Sequence, residues 1–427
     1  MATPTVAASA NFSWRSWAHK DTLALNSPRI GVPFFEPSGL PDAVYEAGAE
    51  PVPLRLPAAR PGGVALARAW ISDLATISST AEHLDAILIP PGNPEETFGL
   101  LIAALRLNLP TACAPPSNVP MFASLASLGL TPLNGQPFDV VAALGRDKGP
   151  AVGDLIENFS LANAVRAAVA AGGGVETLVH LSAVAREAGV VGFSRMIQVL
   201  APETPAVPPK WLHQHGPAGL LAHLDDELHD IATVEGKLKE GLKASPPEPE
   251  EHSRIMFVRG RSSGAEAMCR VASGVTEIAG QCRVFDSEEA IVRAVAAGEL
   301  DRSALVVVRG CGPRGAPGLS RLDGLTVAMR ESGLDLPVLT DGVAPENAPG
   351  TWISLFAPEA AVGGVIGRLR DGDALRLDFA ESRIRTAIEA KELAKRPPFE
   401  GRNITGYGYE ARYARSTLPA LEGAGFG

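Results

Sequence analysis

The stretch RIMFVRG (254–260) opens a half of the chain written in short apolar runs broken by glycine turns. It is followed by CRVFD (282–286), ALVVVRGCG (304–312), LPVLTDG (336–342), WISLF (352–356), VGGVIGRL (362–369) and ALRLDF (374–379). Each run is of strand length and rich in Val, Ile, Leu or Phe, and none is long enough for a core helix. Seven of them predict a barrel or sandwich, accompanied by a helix over Glu288–Ala297. Just before this half lies KASPPEPEEHS (243–253), where three prolines and three carboxylates can neither pair in a sheet nor continue a helix. That stretch marks the domain boundary.

Upstream the grammar differs. RIGVPFF (29–35) and 51–56 are short apolar runs around a helical stretch from Leu40 to Gly48, which reads as strand, helix, strand. A helix from Val64 to Ser79, the strand AILI (86–89), the turn PPGNPEETFG, the helix LLIAALRLN and a strand near Thr111 follow. This is the order of a layered α/β domain with a parallel sheet. Helical periodicity dominates from Asp154 to Ala188, interrupted by Gly172, Gly173 and Gly174, which permit a close backbone approach. Pro202–Pro209 reads as a connector and Leu220–Leu242 as helix. The expected divisions are an arm (1–28), an α/β domain (29–243), a linker (244–253), a barrel-like domain (254–396) and a docking tail or arm (397–427).

Composition narrows the function classes. The chain has 427 residues, 46% of them hydrophobic and 20% charged, as in an ordinary globular protein. Thirty-eight Lys and Arg against 48 Asp and Glu leave a net charge of −10, which repels nucleic-acid backbones and anionic lipid. No apolar run reaches the roughly 18–20 residues that span a bilayer. Four cysteines, Cys113, Cys269, Cys282 and Cys311, lack CxxC or Cys/His spacing, so neither a disulfide framework nor a zinc knuckle is indicated, and a cytoplasmic location fits best. The N-terminal segment is low in acid but lacks a secretory apolar core; it reads as an arm, with an organellar transit peptide as the alternative.

Several segments in order resemble the dihydroxy-acid dehydratase and phosphogluconate dehydratase family: HLDAILIPPGNPEETFGLLIAALRLNLPT (83–111), AGGGVETLVHLSAVAREAGV (171–190), GQCRVFDSEEA (280–290), LVVVRGCGPRGAPGL (305–319), LPVLTDG (336–342), APEAAVGGVIGRLRDGDALRLD (357–378) and ARYARSTLPALEGA (411–424). The resemblance implies an N-terminal α/β domain, a C-terminal β-barrel, a homodimer and an active site in the cleft between domains. It also implies dehydration of a 2,3-dihydroxy carboxylate, with an iron–sulfur cluster as Lewis acid and Mg²⁺ on the carboxylate. Carried over residue by residue, the chemistry is missing. Where the family has Cys-Asp-Lys, this chain has Asn93, Pro94 and Glu95. The Mg²⁺-binding glutamate falls on Cys311, the serine base on Pro345, a Gly-His motif on Leu355, and the Ser-Thr-Asn that meets substrate on Gly174, Val175 and Glu176. The matching cluster loops are shorter here and contain no cysteine. Thiolates hold such clusters, and Asn and Pro cannot replace them.

The expectation is therefore a relative acting without cofactor or metal. Its substrate would be a small anionic or oxo-acid-like molecule with an already acidified C–H, and its chemistry acid–base elimination, hydration or isomerisation. Candidate catalytic residues are Glu95, Glu176, Glu346 and Cys311; candidate substrate-binding residues are Asn93, Glu96, Arg314 and Asp341. Two closely placed acids push one pKa upward, and an arginine fork grips a carboxylate. The alternative is a non-catalytic homologue that binds a metabolite or pairs with an active dehydratase subunit. His213, His215, His223 and His229 lie beside Asp225, Asp226 and Glu227, but their spacing is not that of helical metal ligands. His180 reads as a satisfied core histidine.

Overall fold

The computed structural model describes residues 29–34, 40–56, 62–114, 119–133, 150–261, 264–346, 348–401, 404 and 406–427. The N-terminal sheet is built from β1 (Arg29–Phe34), β2 (Glu50–Arg55), β3 (Ala86–Ile89) and β4 (Thr111–Cys113), all parallel, in the order β2-β1-β3-β4. Parallel strands need crossovers. These are α1 (Leu40–Glu46), α2 (Val64–Glu82) and α3 (Pro94–Leu107). Further helices pack behind: α4 (Val119–Ser127), α5 (Val152–Leu155), α6 (Asn158–Ala170), α7 (Val175–Glu187), α8 (Phe193–Glu203) and α9 (Pro209–His223).

The expected helix over Leu220–Leu242 is overturned. Helix α9 is kinked at Gly216 and stops at His223. A one-turn 3₁₀ segment over Asp225–Glu227 follows, then a hairpin of β5 (Ala232–Thr233) and β6 (Gly236–Lys237). Consecutive acids and a glycine with φ of 128° at Gly236 favour turns over helix.

The second half closes into an eight-stranded barrel. Its strands are β7 (Ser253–Gly260), β8 (Glu266–Ala272), β9 (Glu277–Phe285), β10 (Ala304–Val308), β11 (Val338–Thr340), β12 (Trp352–Ala357), β13 (Ala374–Asp378) and β14 (Arg383–Thr386). They are ordered β10-β11-β12-β8-β7-β14-β13-β9, with β9 pairing back to β10. Closure removes the exposed edges that an open sheet would leave. Strand β10 shows why its sequence has no polar alternation. Leu305 and Val307 fill the barrel interior, while Val306 and Val308 lie beneath α10 (Glu288–Ala296) and α11 (Asp323–Glu331). The run VGGVIGRL is not a strand; it forms two short 3₁₀ turns, Ala360–Val362 and Val365–Arg368, around Gly363 and Gly364.

The two halves share one core. Ile255, Phe257, Met268 and Leu355 of the barrel, with Leu319 and Val343 of its loops, pack in the same cluster as Phe98, Leu100, Leu161 and Leu178. The tail belongs to that cluster too. After α12 (Ala390–Lys395), which precedes it, the tail forms α13 (Tyr409–Ser416), and Tyr413 is fully buried with its hydroxyl donating to the Ala424 carbonyl. A glycine contact sets the junction. The N–H groups of Val64 and Ala65 donate to the carbonyls of Leu319 and Gly318 at 3.0 and 2.7 Å. A Cβ on Gly318 would stand 2.3 Å from Leu66 Cβ, and one on Gly63 2.6 Å from the Gly318 backbone. Only glycine lets these backbones approach. Arg321, three residues beyond, is thereby carried over the N-terminal ends of α3 and α7. Among the described residues no helix is long and apolar enough to cross a membrane.

Candidate active site

Helix α3 begins earlier than its apolar run suggests. Pro94 occupies its first turn, Asn93 Oδ1 accepts the Glu96 N–H at 2.9 Å, and Glu96 Oε2 accepts the Asn93 N–H at 3.2 Å. This capping box satisfies backbone donors that would otherwise be orphaned. It places Asn93 and Glu96 at the helix cap and turns Glu95 inward, where it is 8% exposed. Helix α7 begins at Gly174, whose missing Cβ leaves room for Glu346; the Cβ would stand 3.3 Å from Glu346 Cγ. Its first turn carries Glu176, 2% exposed.

From the barrel side comes Arg321, a residue the sequence reading did not single out. Its Nη1 donates to Glu95 Oε1 at 3.1 Å and to Glu176 Oε1 at 3.0 Å, and its Nε to Asp323 Oδ2 at 2.9 Å. A lone arginine at the start of a loop carries no spacing signal; only the closed fold shows its partners. Thr177 Oγ1 donates to Glu346 Oε1 at 2.9 Å, and Arg270 Nη1 to the Glu346 carbonyl at 2.5 Å, fixing the loop after β11. These groups border a cavity of about 280 Å³ lined by Pro94, Glu176, Arg321, Asp323, Arg330, Pro345 and Glu346 among others. Glu176 and Glu346 thus meet in one interdomain cavity, and Glu95 reaches its edge through Arg321.

Burial raises the Glu176 carboxyl above the ordinary range, and Arg321 opposes this only in part. Burial also acts on Arg321, but Glu176, Asp323 and Glu95 hold its guanidinium firmly cationic. The second carboxylate oxygen of Glu95 is buried without a hydrogen-bond partner.

The remaining candidates lie elsewhere. Asp341 is fully buried; its oxygens accept backbone N–H groups from Gly310 at 3.2 Å and from Cys311 and Ala360 at 2.8 Å. Arg314 and Asp341 line a separate cavity of about 470 Å³, together with Leu355, Phe356, Glu359 and Leu418. There Glu359 accepts the N–H groups of Arg314 and Gly315, and burial beside Asp341 lifts its carboxyl to about 7. Cys311 is buried, and burial with nearby carboxylates pushes its thiol well above the ordinary value. That is the reverse of nucleophile activation.

The same positions test the cluster and Mg²⁺ that the resemblance implies. Asn93 caps a helix, Glu95 and Glu176 are both ion-paired to Arg321, and all four cysteines are buried. Cys113, Cys269 and Cys282 sit on three different strands, and Cys311 follows a fourth. Among the described residues no three His, Cys, Asp or Glu side chains are grouped to hold a metal ion. The Arg321 guanidinium stands between the two carboxylates. These residues do not fit either group.

Comparison with known proteins agrees with the fold. Residues 248–424 match the model of the dihydroxy-acid/6-phosphogluconate dehydratase C-terminal domain. The chain is 31% identical over 372 residues to a dihydroxy-acid dehydratase of Sulfurisphaera tokodaii, covering 77% of this chain and 63% of the relative. It is 31% identical over 294 residues to that of Citrifermentans bemidjiense, covering 61% and 53%, and 32% identical over 308 residues to one from Thermus thermophilus, covering 64% and 55%. The chain spans about half the length of the curated relatives it matches.

Proposed function

Because this chain belongs to the dihydroxy-acid and 6-phosphogluconate dehydratase family, we propose that it handles a small hydroxy- or oxo-acid in the interdomain cavity by acid–base chemistry of its own carboxylates. The carrying observation is the placement of Arg321 between Glu95 and Glu176 on the wall of a cavity that also holds Glu346. Arg321 and Arg330 supply the charge that receives a substrate carboxylate. Glu176, whose burial makes it a stronger base than an exposed glutamate, takes a proton from the carbon beside the substrate's carbonyl. The electron pair moves onto the carbonyl oxygen, giving an enolate beside the arginines. Glu346 then delivers a proton, either back to carbon in an isomerisation or to a β-hydroxyl that leaves as water. The chain acts as a soluble homodimer in this reading.

The test is solvent exchange. Incubation with 2-oxo acids in D₂O is expected to replace the C3 protons, read by proton NMR, and Glu176→Gln abolishes the exchange. Exchange at the same rate in the variant would sink the assignment of Glu176. A second reading is a non-catalytic homologue that binds a metabolite or partners an active dehydratase subunit. It is favoured by the saturation of Arg321 with three carboxylates. Binding of a 2-hydroxy acid without any proton exchange would select it.

A further inference from the structure

Behind Glu176 lies a buried chain of polar groups that the acid–base reading does not use. Arg68 on α2 is 1% exposed. Among the described residues its guanidinium donates to the carbonyls of Gly423 and Val179 and points Nη1 at His180 Nδ1, 3.0 Å away. His180 on α7 is fully buried, and its ring lies parallel to Phe98 of α3 with centroids 5.2 Å apart. Its Nε2 faces Glu176 Oε1, one helical turn back, at 3.5 Å and closes no hydrogen bond in this arrangement.

The tautomer follows from the donors. A guanidinium has only N–H groups, so Nδ1 must present its lone pair to Arg68, and a neutral imidazole then carries its proton on Nε2, facing Glu176. Burial and the adjacent Arg68 charge bring the His180 pKa down to about 3, so the ring stays neutral, while burial lowers Arg68 only to about 10, so it stays charged. The charged groups around Glu176 are Arg321 and Asp323 from the barrel, Glu346 from the loop after β11, Arg68 from α2 and Glu95 from α3. Of the two N–H groups that face Glu176 Oε1, the Arg321 donor at 3.0 Å is 30% exposed, and the His180 Nε2–H, held at 3.5 Å, is not exposed at all. A ligand carboxylate entering the cavity can draw away the first and cannot reach the second.

We infer that His180, fixed by Arg68 with its proton on Nε2, is a positioning residue that keeps Glu176 oriented and ionisable when Arg321 turns to a bound carboxylate. This rests on the reading of Glu176 as the acid–base group, but its test needs no turnover. In protein labelled with ¹⁵N-histidine, His180 is expected as the neutral Nε2–H tautomer from pH 5 to 9; an Nδ1–H or imidazolium signal overturns the inference without any variant. With ¹³C-labelled glutamate, assigned by Glu176→Gln, the Glu176 carboxyl titration is read with and without glycolate. His180→Phe keeps the stack on Phe98 and removes the donor, and should raise the Glu176 midpoint by about one unit, more with glycolate bound. His180→Gln, which retains an N–H, should restore most of it. An unchanged midpoint in His180→Phe overturns the inference. Proton exchange that persists in Glu176→Gln would remove the acid–base reading and leave the titration to stand by itself.

Discussion

Nη1 of Arg321 lies 3.0 Å from Oε1 of Glu176, and the arginine is 30% exposed whereas the carboxylate is 3% exposed. The pair therefore joins the two halves of the molecule through a bond whose acidic end is the more deeply buried, although both residues line the cavity. The same guanidinium serves Glu95, so removing it strands two buried carboxylates at once.

Arg321→Met should consequently lower stability by about 2 kcal/mol at pH 8, less than a fully buried pair because the arginine is partly solvated. The sign of the pH dependence follows from Glu176, whose folded carboxyl already titrates above its unfolded value. Its protonated form is favoured in the fold, so its contribution is complete below the unfolded value and is lost as pH rises through the folded one. Without Arg321 that upward shift grows. Urea unfolding at pH 5 and pH 8 should show a smaller penalty for the variant at pH 5; equal penalties would mean that Glu176 does not sense Arg321.

Asn93 stands where the family resemblance places a cluster cysteine, yet its side chain closes a capping box. Asn93→Ala should cost about 1 kcal/mol in chemical denaturation, while Asn93→Asp, which keeps the acceptor, should stay within a few tenths. Glycolate binding is expected to be unchanged in both. A loss of binding with unchanged stability would return Asn93 to the ligand-binding surface.

The sequence-level view reached far into the fold because its cues are local. AILI, ALVVV and ALRLD declare strands by length and apolarity, and the proline-rich 243–253 separates two grammars. It faltered where tertiary contacts decide. Glu95 and Glu96 read as loop residues because Pro94 resembles a turn, although proline is at home in a first helical turn. Glycines made VGGVIGRL look like a punctuated strand when they build 3₁₀ turns. Tyr413 read as part of an arm because the core beneath it is contributed by distant segments, although the Ala424 carbonyl it donates to belongs to the same tail. Glu176 and Glu346 could be named from their loops. Arg321 could not, since its two remote acidic partners, at positions 95 and 176, converge on it only when the Gly63 and Gly318 backbones meet.

Glu359 offers a pH signature separate from the interdomain cavity. Its carboxyl is held at about 7, against an ordinary glutamate value of 4.5, because burial beside Asp341 outweighs the N–H groups of Arg314 and Gly315. The folded state thus binds a proton more tightly than the unfolded chain, and stability falls as pH rises from about 4.5 to about 7. Glu359→Gln removes that titration, so its stability should vary less over this window than that of the wild type, as read by urea unfolding at pH 5, 6, 7 and 8. Parallel curves for the two proteins would show that Glu359 titrates in its ordinary range.

Asp341 and Cys311 make a second local test, of structure against chemistry. Asp341 binds the backbone N–H groups of Gly310 and Cys311 after β10 and of Ala360 after β12, and so ties two barrel loops together. Asparagine offers one acceptor oxygen and turns an NH₂ toward donors. Asp341→Asn should therefore lose about 2 kcal/mol through unsatisfied buried groups. The loop holding Cys311 should loosen with it. In the wild type all four thiols are buried and should resist a thiol reagent until denaturant is added. In the variant Cys311 alone should react under native conditions, followed by peptide mass spectrometry, while Cys113, Cys269 and Cys282 stay protected on their strands. Rapid labelling of Cys311 in the wild type would instead mark it as an accessible, activated thiol, and an unaltered stability in Asp341→Asn would deny the aspartate its role in tying the loops.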